Sequence, residues 1–475
     1  MKKSLLWVLV MLLAVSMIAT ISLVGCKPAA KEEAVVKEEV AKEEAPAEEV
    51  VAEGVIPGWG NIDWKQFAGT ELNVIVTEMP VSQVYKAKLS EFEEMTGIKV
   101  NYQLFEDSDR RKKQIVDFSS GTGEFDVGNI GHSNREEFAS FLEPLEKYLN
   151  DPKLTDKTWY NFEDYPKDVI AAGYSKAGPL VYIPYTAEYY LIAYLKDVFS
   201  QLGLKAPQTW DEYVAVTKAL DDARKAGKIT SYAYIDRVLP GASESGWSYT
   251  CSASRYGLTL VNFDTMTSYV NTPKGIEFME WYTSWAKNYG PPGSSNWTWP
   301  DIAQAFGQGQ LAMCIIGNAS YVTIEDPTKS TVAGKIGYAH PLMKDGGKDP
   351  LWEWGWGMNA ASKNKEAAWL FIEWLTSPTL MDEIGPEYGC PARISTYESA
   401  EYVKAMPSQE FIDAQVWMMT EGIDAHPQVI SAKWAEALDI VSKDMNNVVA
   451  GIKDAKTACA DAEAALEKIG YKAAE

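Results

Sequence analysis

The chain has 475 residues, with 66 acidic against 44 basic side chains and a formal net charge of −22. That balance excludes nucleic acid, whose phosphates need a basic footprint, and it excludes polybasic docking on a membrane. The body is too long for one ordinary core and points to two lobes.

Two segments stand apart at the N-terminus. Lys2 and Lys3 precede a long apolar run that closes on Leu23-Val24-Gly25-Cys26. The run is long enough to span a bilayer, but its tight order favours a targeting segment and resembles the lipobox of bacterial lipoprotein signal peptides. The resemblance implies a signal peptide over 1–25, lipid attachment at Cys26, and a protein anchored to the cell membrane outside the cytoplasm, in the periplasm or on the cell surface. From Lys31 to Glu53 there are nine Glu, three Lys and no aromatic residue. Such a stretch cannot bury enough apolar surface to offset its ordering entropy. Residues 26–66 therefore read as a charged, disordered spacer, with an acidic partner-binding tail as the alternative.

The body opens with strand-like runs at Glu71-LNVIVTEM, Ile98-KVNYQLF and Phe125-DVGNIG, separated by helix-like runs from Val84 and from Asp109. Alternation at this spacing predicts βα units and a mostly parallel sheet. A further helix is expected over REEFASFLEPLEKYL, behind Asn134. Thr209 and Glu212 have the spacing of a capping box. Lys274 to Gly290 and Ser431 to Gly470 read as amphipathic helices, the latter as one or two. Cys251, Cys314, Cys390 and Cys459 lie far apart with no CxxC, so buried thiols are expected rather than a zinc site or a disulfide framework. No metal and no cofactor is expected.

Several segments in order carry a resemblance: FEEMTGIKVNYQ, SSGTGEFDVGNIG, GPLVYIPYTAEYYLIAYLKD followed by GLKAPQTWDEY, AFGQGQLAMCIIGN, and MNAASKNKEAAWLFIEWLTSP. Together they resemble bacterial extracellular solute-binding proteins of the sugar-binding type, the maltose-binding proteins among them. The resemblance implies the α/β, two-lobed periplasmic-binding-protein fold (type II), each lobe a mostly parallel sheet flanked by helices, with a multi-strand hinge. It places one lobe in 67–184 plus about 340–388, and the other in about 185–339 plus 389–475. It implies a sugar, oligosaccharide or polyol held in the interlobe cleft and delivered to the permease of an ABC importer by a monomer.

Sugars and polyols present apolar C–H faces ringed by hydroxyls, so their sites need aromatic platforms beside strong directional hydrogen-bonding groups. Of 17 tryptophans, all but Trp7 lie beyond the acidic run that ends at Glu53. In a strand, Trp352, Trp354 and Trp356 share one face, with Gly355 and Gly357 on the other. The resemblance implies that Trp354, Gly355 and Trp356 line the cleft and leaves Trp352 to packing. A plain core stripe is the alternative. The resemblance adds Glu78 and Asp107 and Asp109 after the first two strands, and His132 after the third. It also adds Tyr185 and Glu188 at the first crossing, Trp299, Asn318 and Arg393. For Asp107 and Asp109 the alternative is a helix N-cap, and for Arg393 a salt bridge in the hinge. Trp247 and Tyr249 are candidates because they sit isolated in a Gly/Ser-rich segment, Glu244 to Gly257, that reads as a loop.

Enzyme readings find little. A glycoside-active enzyme, the strongest alternative, needs two carboxyls at a set separation. There is no G-x-S-x-G, P-loop or H-E-x-x-H, and His132, His340 and His426 stand far apart. The G-x-G-x-x-A match at Gly307 sits in a helix-like stretch, not at a strand-to-helix turn. A surface-binding lipoprotein without transport is the other alternative.

Overall fold

The computed structural model describes residues 54–233, 236–424 and 433–474. Residues 1–53, with the expected signal peptide, Cys26 and most of the spacer, lie outside them, as does His426. The expected spacer ends well short of residue 66. Ile62 and Trp64 are buried in the core; the Trp64 indole donates to the Trp59 carbonyl at 2.7 Å, and Trp59 stacks on Trp374 at 6.4 Å. Aromatic burial there overrides the acidic composition just upstream.

Eight strands position the site: β1 (Glu71–Thr77), β2 (Lys99–Phe105), β3 (Val127–Gly131), β4 (Ile183–Pro184), β5 (Tyr190–Leu195), β6 (Met313–Gly317), β7 (Ile336–Ala339) and β8 (Trp354–Met358). The first sheet has the order β2-β1-β3-β8-β4. β1 runs parallel to β2 and β3, whereas β8 returns antiparallel to β3, Trp356 facing Asn129. Leu72, Val74 and Val76 enter one core and Ile75 the other, so the sheet is buried on both faces, as parallel strands require.

The second sheet has the order β6-β5-β7. It departs from the mostly parallel arrangement expected of both lobes, because β5 runs antiparallel to each neighbour. Between the sheets, three segments run side by side. Glu188 pairs with Trp352 and Thr186 with Pro391, and the Ala187 amide donates to the Cys390 carbonyl at 2.9 Å.

The expected helix over 135–149 is broken. It keeps one turn at Arg135–Phe138 and another at Glu146–Leu149, because Pro144 cannot continue the ladder between them. The first long helix starts earlier than its apolar period, at Pro80, whose fixed φ suits a first turn. The C-terminal run forms two helices, Trp434–Val449 and Ala455–Lys468. Gly309, in the G-x-G-x-x-A stretch, follows the C-terminus of helix Trp299–Gly307, where its φ of +71° serves the turn. All four cysteines are buried and unpaired among the described residues.

Candidate functional site

The tryptophan stripe divides into three environments, because its strand leaves the core and enters the hinge. Trp356 is wholly buried: it stacks on Tyr185 at 5.0 Å and 24° and takes the edge of Tyr85 at 5.7 Å. Trp356 and Tyr185 are thus core, and the expectation that they face the cleft is corrected. Gly355 is demanded by packing, since a Cβ there would meet the Tyr182 ring at 2.0 Å. Trp354 is half-buried against Gly131. Trp352, assigned to packing by the sequence, instead lines a cavity.

At the carboxyl ends of β1 and β3, where α/β sheets gather ligands, a polar cluster surrounds Arg110. Its guanidinium donates to Asp107 at 2.8 Å and to the Asn129 carbonyl at 3.1 Å, and also to Gln114. It lies 5.8 Å from the Trp354 ring. Asp107 also accepts the Thr77 hydroxyl at 3.1 Å. Asp107 is therefore a clamp on Arg110; the helix cap is Glu106, which accepts the Ser108 amide. Glu78 and Asp109 are exposed, and Asp109 pairs with Lys112 at 3.4 Å.

Several expected contacts are buried elsewhere. His132 is sealed beneath β8, with Nδ1 2.8 Å from Glu353 Oε1, an oxygen that also accepts the Tyr182 hydroxyl. Asn318 ties the hinge: its carboxamide donates to the Ala187 carbonyl at 3.0 Å and accepts the Tyr189 amide at 3.3 Å. Arg393 donates to the carbonyls of Thr376 and Asn161 at 2.8 and 2.9 Å, between the faces of Tyr160 and Tyr165. Glu244 to Gly257 is helical rather than loop over Trp247–Arg255. Residues two apart on a helix point to opposite sides, so Trp247 reaches the cavity while Tyr249 packs on Phe278 in the core.

The cavity measures about 230 Å³ and lies beside the hinge, at the carboxyl end of β6. Trp352, Trp247 and Trp299 supply aromatic wall, with Ile302, Ile315 and Ile316 beside them. Trp299 heads its helix and keeps 51% of its surface exposed. Glu188, Asp236, Arg237, Ser243 and Ser320 bring polar groups. Arg237 donates to the Tyr190 hydroxyl and, at 3.0 Å, to the Ser243 carbonyl. Beneath Tyr190, Asp349 accepts the Tyr190 amide at 2.9 Å and pairs with Arg255 at 2.6 Å. Burial raises the Asp349 carboxyl above its usual range, with Arg255 opposing. Burial likewise pushes Glu188 up to about 7; the Thr186 hydroxyl opposes and the neighbouring Glu353 adds.

Among the expected residues, the structure therefore brings Glu188, Trp247 and Trp299 together around one space. Trp352, Asp236, Arg237 and Tyr190 escaped the sequence reading. One signal was present: Asp236-Arg237 is the only charged pair between Lys228 and Glu244, in a stretch otherwise fit for a core.

Compared with known families, residues 78–381 match the one described as bacterial extracellular solute-binding protein. The erythritol/L-threitol-binding protein of Mycolicibacterium smegmatis is 28% identical over 357 residues, 72% of this chain and 74% of that protein. A probable amino-acid ABC transporter periplasmic-binding protein of Sinorhizobium fredii is 25% identical over 409 residues, 85% of this chain and 90% of its own length. A solved structure of an ABC transporter solute-binding protein of Agrobacterium radiobacter K84 with ribitol shares the fold, with a TM-score of 0.70 at 21% identity. It covers 85% of this chain and 99% of that one. The architecture is accordingly the two-lobed periplasmic-binding-protein fold.

Proposed function

The chain belongs to the bacterial extracellular solute-binding protein family, and from that premise we propose that it captures a small polyol or sugar for an ABC importer. The observation that carries this reading is the cavity, whose lining combines three indoles with Arg237, Asp236 and Glu188. Flat rings suit the C–H faces of such a molecule, and the charged groups suit its hydroxyls. At about 230 Å³ the space falls below the roughly 300–1,000 Å³ of pockets for drug-sized ligands. That favours a tetritol, pentitol, hexitol or monosaccharide over an oligosaccharide. A relative named for erythritol and L-threitol, and a solved structure of the same fold with ribitol, point the same way.

Trp352, Trp247 and Trp299 serve as platforms. Trp354, with Asp107 and the exposed Glu78 and Asp109 above the buried Arg110, forms the face that the first sheet brings onto the ligand as the lobes close. Gly355, Asn318 and Arg393 hold the hinge and core in place. The closed form is what the permease of an ABC transporter recognises, and the protein acts as a monomer held to the membrane through lipid on Cys26. It binds without chemistry. Asp236 is engaged by the Arg237 amide at 2.7 Å and the Ser252 hydroxyl at 3.0 Å, which leaves Glu188 without the second working carboxyl that glycoside hydrolysis requires.

Calorimetric titration of the full-length chain with erythritol, L-threitol, ribitol, D-mannitol, maltose and the amino acids tests this reading. Saturable binding of a four- to six-carbon polyol or sugar supports it. Binding of amino acids alone overturns it.

A further inference from the structure

Glu188 is the carboxyl of the cavity with the fewest obligations. It lines the space from the first hinge segment, its backbone N–H donating a hydrogen bond of 2.7 Å to the Trp352 carbonyl. Its side chain takes one hydrogen bond, a long one of 3.5 Å from the Thr186 hydroxyl. Among the described residues it has no ion-pair partner.

The groups around it explain why. From the neighbouring crossover comes Glu353, a second carboxyl, already occupied by His132 and Tyr182. From the third hinge segment comes Cys390, and from its own segment Tyr185. The same cavity is lined by Asp236 and Arg237. The Arg237 guanidinium is held by the Tyr190 hydroxyl and the Ser243 carbonyl, with Glu244 3.7 Å away. Beneath the floor, Arg255 is committed to Asp349. Thus the near neighbours of Glu188 are acids, a thiol and phenols, and the nearby cations are engaged.

We propose that Glu188 occupies the ligand-bound cavity as a neutral carboxylic acid, taking up a proton with the ligand, so that capture tightens as the surroundings acidify. This rests on the reading of the cavity as a polyol or sugar site. Bound ligand displaces the water that would hydrate a carboxylate, and the cation lining the cavity, Arg237, is taken by Tyr190, Ser243 and Glu244 rather than by Glu188. The protonated form costs no such desolvation, and its O–H donates to a ligand hydroxyl oxygen. Burial already holds the unliganded carboxyl close to neutrality. Further exclusion of water raises its proton affinity again, and by linkage the ligand binds more tightly where that proton is present.

The test is calorimetry of the full-length chain with erythritol, L-threitol, ribitol and D-mannitol from pH 6 to 8.5. Each titration is run in phosphate and in Tris, whose different ionisation heats reveal proton transfer. The expected Kd rises above pH 7 by up to about tenfold per pH unit, with uptake approaching one proton per ligand near pH 8. Glu188→Gln, whatever its absolute affinity, is expected to show a flat profile and no proton uptake. A pH-independent Kd in the wild type, release of protons, or a profile that persists in Glu188→Gln would overturn the inference while leaving the site intact. Absence of heat from every probe at every pH would overturn the site and the inference together. Should Glu188→Gln fail to fold, the proton count on the wild type decides.

Discussion

The indoles of Trp352 and Trp247 meet edge to face, with ring centroids 5.1 Å apart and planes at 72°. Trp434 braces Trp352 from a second side at 6.1 Å. The three residues come from the crossover before β8, from the helix at Trp247 and from the helix at Trp434, and none is near another in sequence. A platform held from two sides can receive a ligand without first being ordered, which lowers the entropy cost of binding.

Trp299 offers the cleanest separation of binding from folding, since half of its surface is open. Trp299→Ala is expected to weaken polyol binding by about 1 kcal/mol, roughly fivefold, while the thermal midpoint stays within about 2 °C. Calorimetry and thermal unfolding on one preparation check both.

Trp356 predicts the reverse pattern. It fills the core between Tyr185 and Tyr85, so Trp356→Ala should destabilise by about 3–5 kcal/mol through the cavity it leaves. Trp356→Phe should recover much of that stability and bind as the wild type does. Denaturant unfolding supplies the ranking.

Glu373 gives a pH dependence of stability. It is buried in helix Lys365–Leu375, and burial raises its carboxyl well above the usual range, with Thr155 opposing and Asp156 adding. A folded-state value above the unfolded one means the stability is fully present below the ordinary carboxylate range and is lost as pH rises through the folded value. Glu373→Gln should therefore gain on the wild type between pH 5 and pH 8, by more than the roughly 0.5 kcal/mol typical of surface changes. Urea unfolding at the two pH values reads it; a constant difference contradicts it.

Arg393 should matter to the fold alone. Its guanidinium lies 3.3 Å from Asp164, buried among backbone carbonyls. Arg393→Ala strands that carboxylate and should cost about 3–5 kcal/mol, with polyol affinity unchanged where the variant remains folded. A selective loss of affinity would return Arg393 to the site.

The fold was legible where periodicity and context agree. Leu72, Val74 and Val76 share one face of β1, and the βα spacing of β1, β2 and β3 needed no distant partner to be read. The site was less legible, because Trp352, Trp354 and Trp356 have the same period and different fates. Parity places them on one face, but Trp352 lies ahead of β8, paired with Glu188, and lines the cavity, while Trp356 stays in the core. His132 and Arg393 misled for a similar reason. Polar residues at expected cleft positions were absorbed by Glu353 and Asp164, partners 221 and 229 residues away. Tyr249 was misplaced because its Ser-rich segment coils into a helix that turns it inward. Trp64 shows the limit of composition, since an acidic run can end in indoles that dock.

The most direct test of the account is the affinity of Trp352→Ala for the polyol or sugar that the wild type binds, measured by calorimetry beside Trp356→Phe. Trp352→Ala is expected to raise Kd at least about tenfold at a temperature where the variant remains folded, while Trp356→Phe keeps wild-type affinity. Unaltered affinity in a folded Trp352→Ala variant would contradict it and move the ligand out of this cavity.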